Sequence, residues 1–591
     1  MSGIAAILGL ADRPGVAAAE RMLAAAPHRG SDTQVAVCGA AVLGVVNPPE
    51  RREACLTSED GWSAVFTGRL DNAGELDDQL DVQDGPPPDP SPSALVLRAF
   101  RRFGEDAPSA LRGAFAATVT DGRRMWFFRD QIGFETLFHH AGNGAVFVAS
   151  EVKQLLAVPH ARREPDIDFL EQVFYDDIDD HTRCAYAGVR RTLASMLVRA
   201  DEHGVRWKRY WRPDSLLETG RFSADEVAER FVELMTKSAN RMMTGADAVS
   251  LSGGIDSPGL AAFAAPEHRR RYGTPLAAIS AVYPGFPRAD ERDYIEEVAS
   301  FLDMPLRVYE PVPQRLTRLQ DWVDLFDGPW ATWSPVGAEQ RLGLARDQRL
   351  ATILDGNMAE QVMAMQRSLV AHLLSRGRLR SAIRYLRRDR AEGASWRRIG
   401  RQLVSPLVPR WAVAADRRRN PLLAFPDWLS RARPNKVALE TVPLRRMWTV
   451  SQLGGLWGSS LALEASTIFH SKFGVRERFP WADVDLWEFF LAIPAEIKFP
   501  APTTKALVRK LLRGRVPDRI LDRRDKTTMN DWYEATSLDY TSLRRWLLDP
   551  PHRISGVDYG LLGQQLERED MNMPEYVWAK DLAGIHAFLE L

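Results

Sequence analysis

The chain has 591 residues, too many for a single hydrophobic core, so two to four domains are expected. Its formal net charge of -1 argues against a nucleic-acid or membrane-surface role. No apolar run reaches a membrane-spanning length and no secretion signal opens the chain, so neither a membrane span nor export is expected. Three widely spaced cysteines, Cys38, Cys55 and Cys184, form no metal-ligand pattern and predict reduced core thiols in a cytoplasmic protein.

Residues 1–212 are predicted to form a β-rich domain that also contains a helix over 93–103. The predicted strands lie in the ranges 3–10, 35–46, 63–67, 115–119, 125–129 and 145–149. The proline-rich segment 84–90 is predicted to be a surface loop, because proline removes backbone donors and fixes φ.

A second domain is predicted over 213–591. It opens with an amphipathic helix in which Val227, Phe231, Leu234 and Met235 share one face. Strands are then predicted at 246–251, 276–282 and 306–309, with a helix at 292–301. Strands that alternate with helices predict a parallel, doubly wound sheet, and nucleotides bind at the carboxyl ends of such strands.

The segment Ser252-Gly253-Gly254-Ile255-Asp256-Ser257 follows the first of these strands and precedes a helix. Its glycines allow a tight turn and close approach of a ligand, and the helix N-terminus favours an anion. Ser252 and Ser257 supply hydroxyl groups, and the Asp256 carboxylate can hold Mg²⁺. The segment has no lysine, unlike a Walker A loop, and therefore predicts a pyrophosphate cradle; a plain glycine turn is the alternative.

Residues 367–419 are strongly basic, with fifteen arginines against three acidic residues. A solvated helical face would have this composition, and so would a docking surface for an acidic peptide or partner. Nucleic acid is a weaker third interpretation because few aromatic residues are interleaved with the arginines.

Both domains resemble parts of asparagine synthetases. The first resembles their class II glutamine amidotransferase domain (an Ntn-type αββα fold), and the second their PP-loop, ATP pyrophosphatase-like synthetase domain, with a parallel sheet and added helices. The matching stretches are 111–116, 128–130, 133, 147–153 and 184–191 in the first domain, and 252–257, 291–299, 354–356, 474–483 and 505–526 in the second. The arginine-rich segment corresponds to a helical insertion over about 361–446.

Departures from the family pattern concern glutamine hydrolysis. The family's N-terminal cysteine nucleophile is replaced by Ser2, and its glutamine-binding Asn-Gly pair by Thr67-Gly68. A serine hydroxyl is a much poorer unassisted nucleophile than a thiol at neutral pH. An arginine expected near 44–47 and an acidic residue expected at Ser93 are also missing. We therefore expect no glutaminase activity and interpret the first domain as a retained structural module.

The resemblance also implies site residues for ATP and Mg²⁺. Metal ligands would be Asp256 and Glu360. Glu360 ends an altered family loop, 355–360, and a simple helix-start role is the alternative for it. The backbone around Leu251, Val282 and Gly356 would line the adenosine slot, beside the loop residues Ser252, Gly253, Gly254 and Ser257.

Three further residues are implied to be catalytic. Lys526 stands at the position of the family's catalytic lysine, with a one-residue shift as an alternative, and Lys505 would lie near the pyrophosphate. For both, a solvated basic helix is the other interpretation. Glu477 is the candidate carboxylate for deprotonating the amine, although the base is left unassigned.

Among relatives without a glutaminase, the C-terminal pattern most resembles lasso-peptide macrocyclases. This implies an AMP-forming ligase that adenylates an Asp or Glu side chain of a linear core peptide and closes it with the peptide α-amine. Its partners would include the leader peptidase and the recognition protein of the same pathway. A β-lactam synthetase, an ammonia-dependent amide ligase and an inactive scaffold remain as alternatives.

Overall fold

The structure is a computed structural model of the chain that describes most of the sequence. The described residues are 2–10, 12–49, 54–84, 91–175, 178–329, 335–363, 369–397, 399–400, 426–429, 452–453, 460–525 and 527–591. Most of the arginine-rich insertion, most of the proline-rich segment and Lys526 lie outside these residues. Among the described helices, none combines the length and apolarity needed to cross a bilayer.

The first domain is built on two stacked antiparallel sheets. Their strands are β1 Gly3–Leu8, β2 Asp32–Cys38, β3 Ala41–Asn47, β4 Leu56–Glu59, β5 Trp62–Leu70, β6 Gly113–Thr120, β7 Met125–Arg129, β8 Phe138–Gly142, β9 Ala145–Ala149, β10 Val189–Arg191, β11 Met196–Asp201 and β12 Gly204–Arg209. One sheet has the order β10-β8-β9-β1-β3-β2 and the other β12-β11-β7-β6-β5-β4. Alternate apolar side chains such as Ile4, Leu43 and Phe127 fill the space between the sheets.

Helices cover the outer faces of both sheets. They are Asp12–Ala24, Ala73–Asp84, Pro92–Phe103, Ala107–Ala110, Val152–Leu156 and Ile167–Phe174. The helix Asp12–Ala24 packs on the first sheet, and the helix Pro92–Phe103 packs on the second. The order of layers is therefore the expected αββα.

The predicted strands 3–10, 63–67, 115–119, 125–129 and 145–149 correspond to β1, β5, β6, β7 and β9, whereas β4, β8, β10, β11 and β12 were not predicted. The predicted strand 35–46 is two strands, because the chain reverses at Gly39, whose φ of +55° suits glycine. All three cysteines are buried and none forms a disulfide, as predicted.

A five-stranded sheet forms the centre of the second domain. Its strands are β13 Asp247–Ser250, β14 Ala277–Ala281, β15 Leu306–Tyr309, β16 Thr352–Asp355 and β17 Arg476–Arg478. All adjacent strands are parallel, in the order β15-β14-β13-β16-β17. The predicted parallel sheet is confirmed, and its carboxyl ends meet at one edge.

Helices surround this sheet. Those described are Ala224–Met242, Asp256–Tyr272, Arg292–Phe301, Leu319–Phe326, Pro335–Asp347, Ala359–Met363, Leu369–Ser375, Leu379–Ala391, Ser460–Phe473, Val484–Ala492, Ala495–Lys498, Ala506–Leu511, Asp518–Asp522, Asn530–Thr536, Tyr540–Leu547, Tyr559–Arg568 and Met573–Leu589. The predicted apolar face of the helix Ala224–Met242 is buried. We call Leu379–Ala391 the arginine helix.

The two domains are joined by buried contacts. Glu464, which is 4% exposed, accepts hydrogen bonds from Arg129 at 2.8 Å and from Arg191 at 2.7 Å. Both arginines belong to the first domain and are almost fully buried. The C-terminal helix also packs on the first domain, where the Trp578 ring meets Phe174 edge-on. The first domain is thus an integral part of the fold.

Candidate nucleotide and ligation site

The predicted nucleotide-binding residues converge at the carboxyl edge of the parallel sheet. Leu251, Val282 and Gly356 each directly follow the last residue of a strand. Gly356 lies against the loop helix, Asp256–Tyr272, so closely that an added Cβ would be 2.6 Å from the Ser257 nitrogen. A glycine is required there because the two backbones touch. The structure therefore brings together the positions expected to line the adenosine slot.

The loop before this helix is held by its own hydroxyl groups. The Ser257 hydroxyl accepts a hydrogen bond from the Ser252 backbone N–H at 2.9 Å, and the two side-chain oxygens are also 2.9 Å apart. The helix begins at Asp256, so Pro258 lies in its first turn, where a missing N–H costs no helical hydrogen bond. The loop is compact and has the strand–turn–helix setting that was predicted.

The two predicted metal carboxylates lie beside one lysine. The Lys505 ammonium is 2.6 Å from both carboxylate oxygens of Asp256 and 3.7 Å from Glu360 Oε1. Its side chain is 11% exposed, so the interpretation of Lys505 as part of a solvated helix is wrong. Lys505 also has a φ of +59°, which is uncommon for a residue with a side chain and often marks a functional site.

Glu477 lies on β17 in a buried ion pair. It bonds to Arg341 and is 3.2 Å from His470 Nε2. Although burial alone would raise it, these neighbours lower the pKa of Glu477 to about 2. Burial and the nearby Glu477 charge raise the pKa of Asp355. A carboxylate held in its charged form this firmly is a weak proton acceptor, so the geometry gives Glu477 no support as the base.

The sequence analysis did not predict a polar cluster on the loop 252–257, which we call the nucleotide loop. The Glu291 carboxylate accepts the Gly253 N–H at 2.9 Å, and Arg523 donates to the Gly253 carbonyl at 2.9 Å and to Glu291 at 2.7 Å. Thr527 bonds to Glu291 as well. Glu291 and Arg523 both fall in stretches that carried the family resemblance, but their contact spans 232 positions. Lys526, adjacent in sequence, is outside the described residues.

The first domain has its own polar site around Ser2, which is fully buried. The Ser2 hydroxyl donates to Asn47 Oδ1 at 2.6 Å. Its carbonyl accepts from the Thr67 hydroxyl at 2.6 Å and from Arg29 at 2.9 Å. Asn47 belongs to the segment 44–47, in which an arginine was expected, and the Thr67 hydroxyl is bonded to the backbone of Ser2. These contacts enclose the residue that would need to be an exposed nucleophile.

Comparisons with known proteins match both domains. Residues 231–571 match the asparagine synthase family, and residues 1–211 match the glutamine amidotransferase domain. Asparagine synthetase [glutamine-hydrolyzing] 3 of Bacillus subtilis is 22% identical over 488 residues, which cover 80% of this chain and 76% of the relative. Asparagine synthetase [glutamine-hydrolyzing] 1 of the same organism is also 22% identical, over 80% of this chain and 78% of the relative.

The solved structure of glutamine phosphoribosylpyrophosphate amidotransferase from Bacillus subtilis matches over 52% of this chain and 65% of the amidotransferase chain. The match has 16% sequence identity and a TM-score of 0.28. A similarity this low does not bear on function. The asparagine synthase match alone spans more than half of the chain, on the parallel-sheet domain that carries the loop. The protein therefore belongs to the asparagine synthase family.

Proposed function

We propose that the chain is an AMP-forming macrolactam synthetase of the lasso-peptide type. Membership of the asparagine synthase family makes it an ATP-dependent amide ligase. The observation that carries the proposed site is the Asp256–Lys505–Glu360 group beside the nucleotide loop. Two anionic groups and a cation beside this loop would suit the binding and cleavage of a triphosphate. The peptide substrate is the finer part of the proposal and rests on the resemblance to lasso-peptide macrocyclases.

The reaction has two balanced steps. An oxygen of the Asp or Glu side chain of the peptide attacks the α-phosphorus of ATP, and the bond to the bridging oxygen of the β-phosphate breaks, releasing pyrophosphate. The α-amine of the peptide then attacks the acyl carbon, AMP leaves with the bonding electron pair, and the amine loses a proton. In this proposal the Lys505 ammonium, now bonded to Asp256, balances the negative charge of the departing pyrophosphate.

The residues also fit Mg²⁺. Asp256 and Glu360 supply carboxylate oxygens, which Mg²⁺ prefers, and both carboxylates lie within 4 Å of the same Lys505 ammonium. Among the described residues, no group of three or more metal-ligating His, Cys, Asp or Glu side chains occurs. Mg²⁺ is usually bound by one or two carboxylates together with substrate phosphates. When bound, Mg²⁺ would neutralise phosphate charge.

The amine in this reaction should not come from glutamine. We expect purified protein to release no glutamate from glutamine, because Ser2 is enclosed by Asn47 and Thr67 and lacks a thiol. A glutamate-release assay would check this, with the Bacillus subtilis glutamine-hydrolysing synthetase as the positive control. Glutamine should also leave product formation unchanged. Measurable glutamate release would contradict the structural role assigned to the first domain.

The arginine helix is the surface proposed to capture an anionic peptide. Arg380, Arg384 and Arg387 are exposed on one face beside Ile383, whereas Arg388 bonds to the carbonyl oxygen of Pro500. Changing Arg380, Arg384 and Arg387 together to Glu should raise KM for the peptide about tenfold. The value of kcat should be nearly unchanged, because surface charge acts on the encounter and docking of the peptide. Steady-state kinetics at several salt concentrations would measure this, and the wild-type KM should rise with salt.

The matched control carries the same change in charge elsewhere. Arg346, Arg545 and Arg568 are exposed on three other helices, and their joint replacement by Glu should leave KM unchanged. If the two triple variants changed KM equally, or if neither changed it, the arginine helix would be a solvated face and not a docking surface.

The decisive test of the substrate uses a synthetic linear core peptide with an acidic residue several positions after its free α-amine. Incubation with ATP and Mg²⁺ should give a product lighter by one water, detected by mass spectrometry. Acetylation of the α-amine should prevent its formation. Turnover of a small carboxylate with ammonia but of no such peptide would favour a β-lactam synthetase or ammonia-dependent ligase. No ATP turnover with any substrate would favour a scaffold.

A further inference from the structure

We propose that Arg523 is a charge-compensating positioning residue of the nucleotide loop. Its guanidinium neutralises Glu291, and the neutral pair holds the Gly253 peptide so that the loop can accept a polyphosphate. The inference rests on the proposed function in one respect, that ATP binds at this loop. It adds a residue whose effect should appear in nucleotide affinity, before any amide bond is formed.

The Gly253 peptide is held by both of its polar groups. Its N–H donates to Glu291 Oε2 at 2.9 Å, and its carbonyl accepts from Arg523 Nη1 at 2.9 Å. The same Arg523 nitrogen is 2.7 Å from Glu291 Oε1, which closes the ring of contacts. Thr527 receives a further hydrogen bond from Arg523 Nη2 at 2.7 Å. The loop therefore takes its shape from two side chains as well as from its own backbone.

This arrangement explains why residue 253 is glycine. A Cβ there would lie 2.8 Å from Tyr294 Cβ and 3.0 Å from both Arg523 Nη1 and Glu291 Cβ. The space that a side chain would need is therefore already filled by these three residues. A Cβ on Gly254 would have the Ser252 hydroxyl oxygen at 3.5 Å as its nearest neighbour among the described residues. The second glycine thus borders the open side of the loop, where a ligand can approach.

The charge of Glu291 makes Arg523 necessary. A carboxylate bonded to the loop backbone lies close to where a polyphosphate would bind, and two like charges at such a distance repel each other. The Glu291 and Arg523 side chains are 16% and 10% exposed, so salt and water screen them only partly. Arg523 balances the Glu291 charge and also pairs at 3.2 Å with Asp525, whose side chain is largely exposed. Without Arg523, the uncompensated charge of Glu291 would oppose the nucleotide.

The test measures Mg·ATP affinity by isothermal titration calorimetry, in the absence of any carboxylate or amine substrate. Arg523→Gln should raise Kd at least tenfold, because it exposes the Glu291 charge to the phosphates. The double variant Arg523→Gln with Glu291→Gln should bind Mg·ATP more tightly than Arg523→Gln alone. A purely structural role predicts the opposite order, since the double variant loses more of the contacts that hold the loop.

Arg519→Gln is the matched control. The Arg519 and Arg523 guanidinium groups lie over the same Tyr294 ring, each 4.3 Å from its centroid, but Arg519 pairs with Glu297. This variant removes the same charge from the same aromatic ring and should change Kd less than twofold. Arg523→Lys keeps the charge and should stay within about threefold of wild type, which preserves the test if the Gln variant does not fold.

The outcomes separate the two claims. Wild-type protein that binds no Mg·ATP would contradict the proposed function, and this inference with it. If wild-type protein binds Mg·ATP and folded Arg523→Gln binds it with the same Kd, the inference about Arg523 would be wrong and the proposed function would stand. A double variant that binds as weakly as Arg523→Gln, or more weakly, would also overturn it, as would an Arg523→Lys variant with tenfold weaker binding and an unchanged unfolding temperature.

Discussion

Asp256→Ala is expected to reduce ATP consumption at least about 100-fold while leaving the fold intact. Asp256 lies in the first turn of the loop helix, and its carboxylate bonds to Lys505 through both oxygens. Its removal takes away a proposed Mg²⁺ ligand and frees the Lys505 ammonium from its position. Loss of such electrostatic stabilisation typically costs about 3 kcal/mol in the transition state. Substrate-dependent pyrophosphate release would measure the effect, and thermal unfolding would confirm that the variant folds.

Asp225→Ala is the control for this variant. Asp225 is exposed and also lies in the first turn of a helix, Ala224–Met242. Both substitutions remove a favourable interaction with a helix N-terminus, worth about 0.3–1 kcal/mol, but Asp225 has no role in the proposed site. Near-normal turnover by folded Asp256→Ala would show that Asp256 is structural and would remove the basis for the metal site.

Glu464→Ala is expected to lower the free energy of unfolding by about 3–5 kcal/mol. The substitution leaves the Arg129 and Arg191 guanidinium groups buried at the domain interface without their shared carboxylate. Arginine cannot lose its proton to avoid the cost of an unpaired buried charge, and such a charge typically costs about 3–5 kcal/mol of stability. Equilibrium chemical denaturation of both proteins would measure this loss of stability. The result would support a structural role for the first domain.

Glu488→Ala provides the comparison at the same interface. Glu488 accepts a hydrogen bond from the Trp211 indole at 2.8 Å and lies 3.8 Å from Arg112, but its side chain is 33% exposed. Its loss should cost less than about 1 kcal/mol, as is usual for a solvated pair. If both variants lost the same small amount of stability, the buried Glu464 cluster would not be what holds the domains together.

Features set by local sequence were predictable. The strand–glycine–helix pattern around Ser252 to Ser257 predicted the turn between β13 and the loop helix, because glycine freedom, strand polarity and helix periodicity act over a few residues. The alternation of strands and helices likewise gave the parallel sheet. Gly356 was expected near the loop from the resemblance, and its close approach to Ser257 agrees with that.

Contacts between distant segments were not predictable from patterns. Lys505 and Asp256 are 249 positions apart, so their pairing depends on how the last third of the chain folds back onto the loop. Glu477 was considered as a base because of its position in the motif, yet its environment on β17 is set by Arg341 and His470, which lie on two helices. A single sequence shows a titratable residue, but its neighbours determine whether it can accept a proton.

The products of ATP cleavage test the central claim most directly. Wild-type protein would be incubated with α-labelled ATP, Mg²⁺ and the linear core peptide, and the labelled nucleotide separated by thin-layer chromatography. Cleavage at the α-phosphorus by a loop that lacks a Walker lysine should give AMP, with one pyrophosphate released per amide bond formed. Accumulation of ADP with inorganic phosphate, in step with product, would contradict the account.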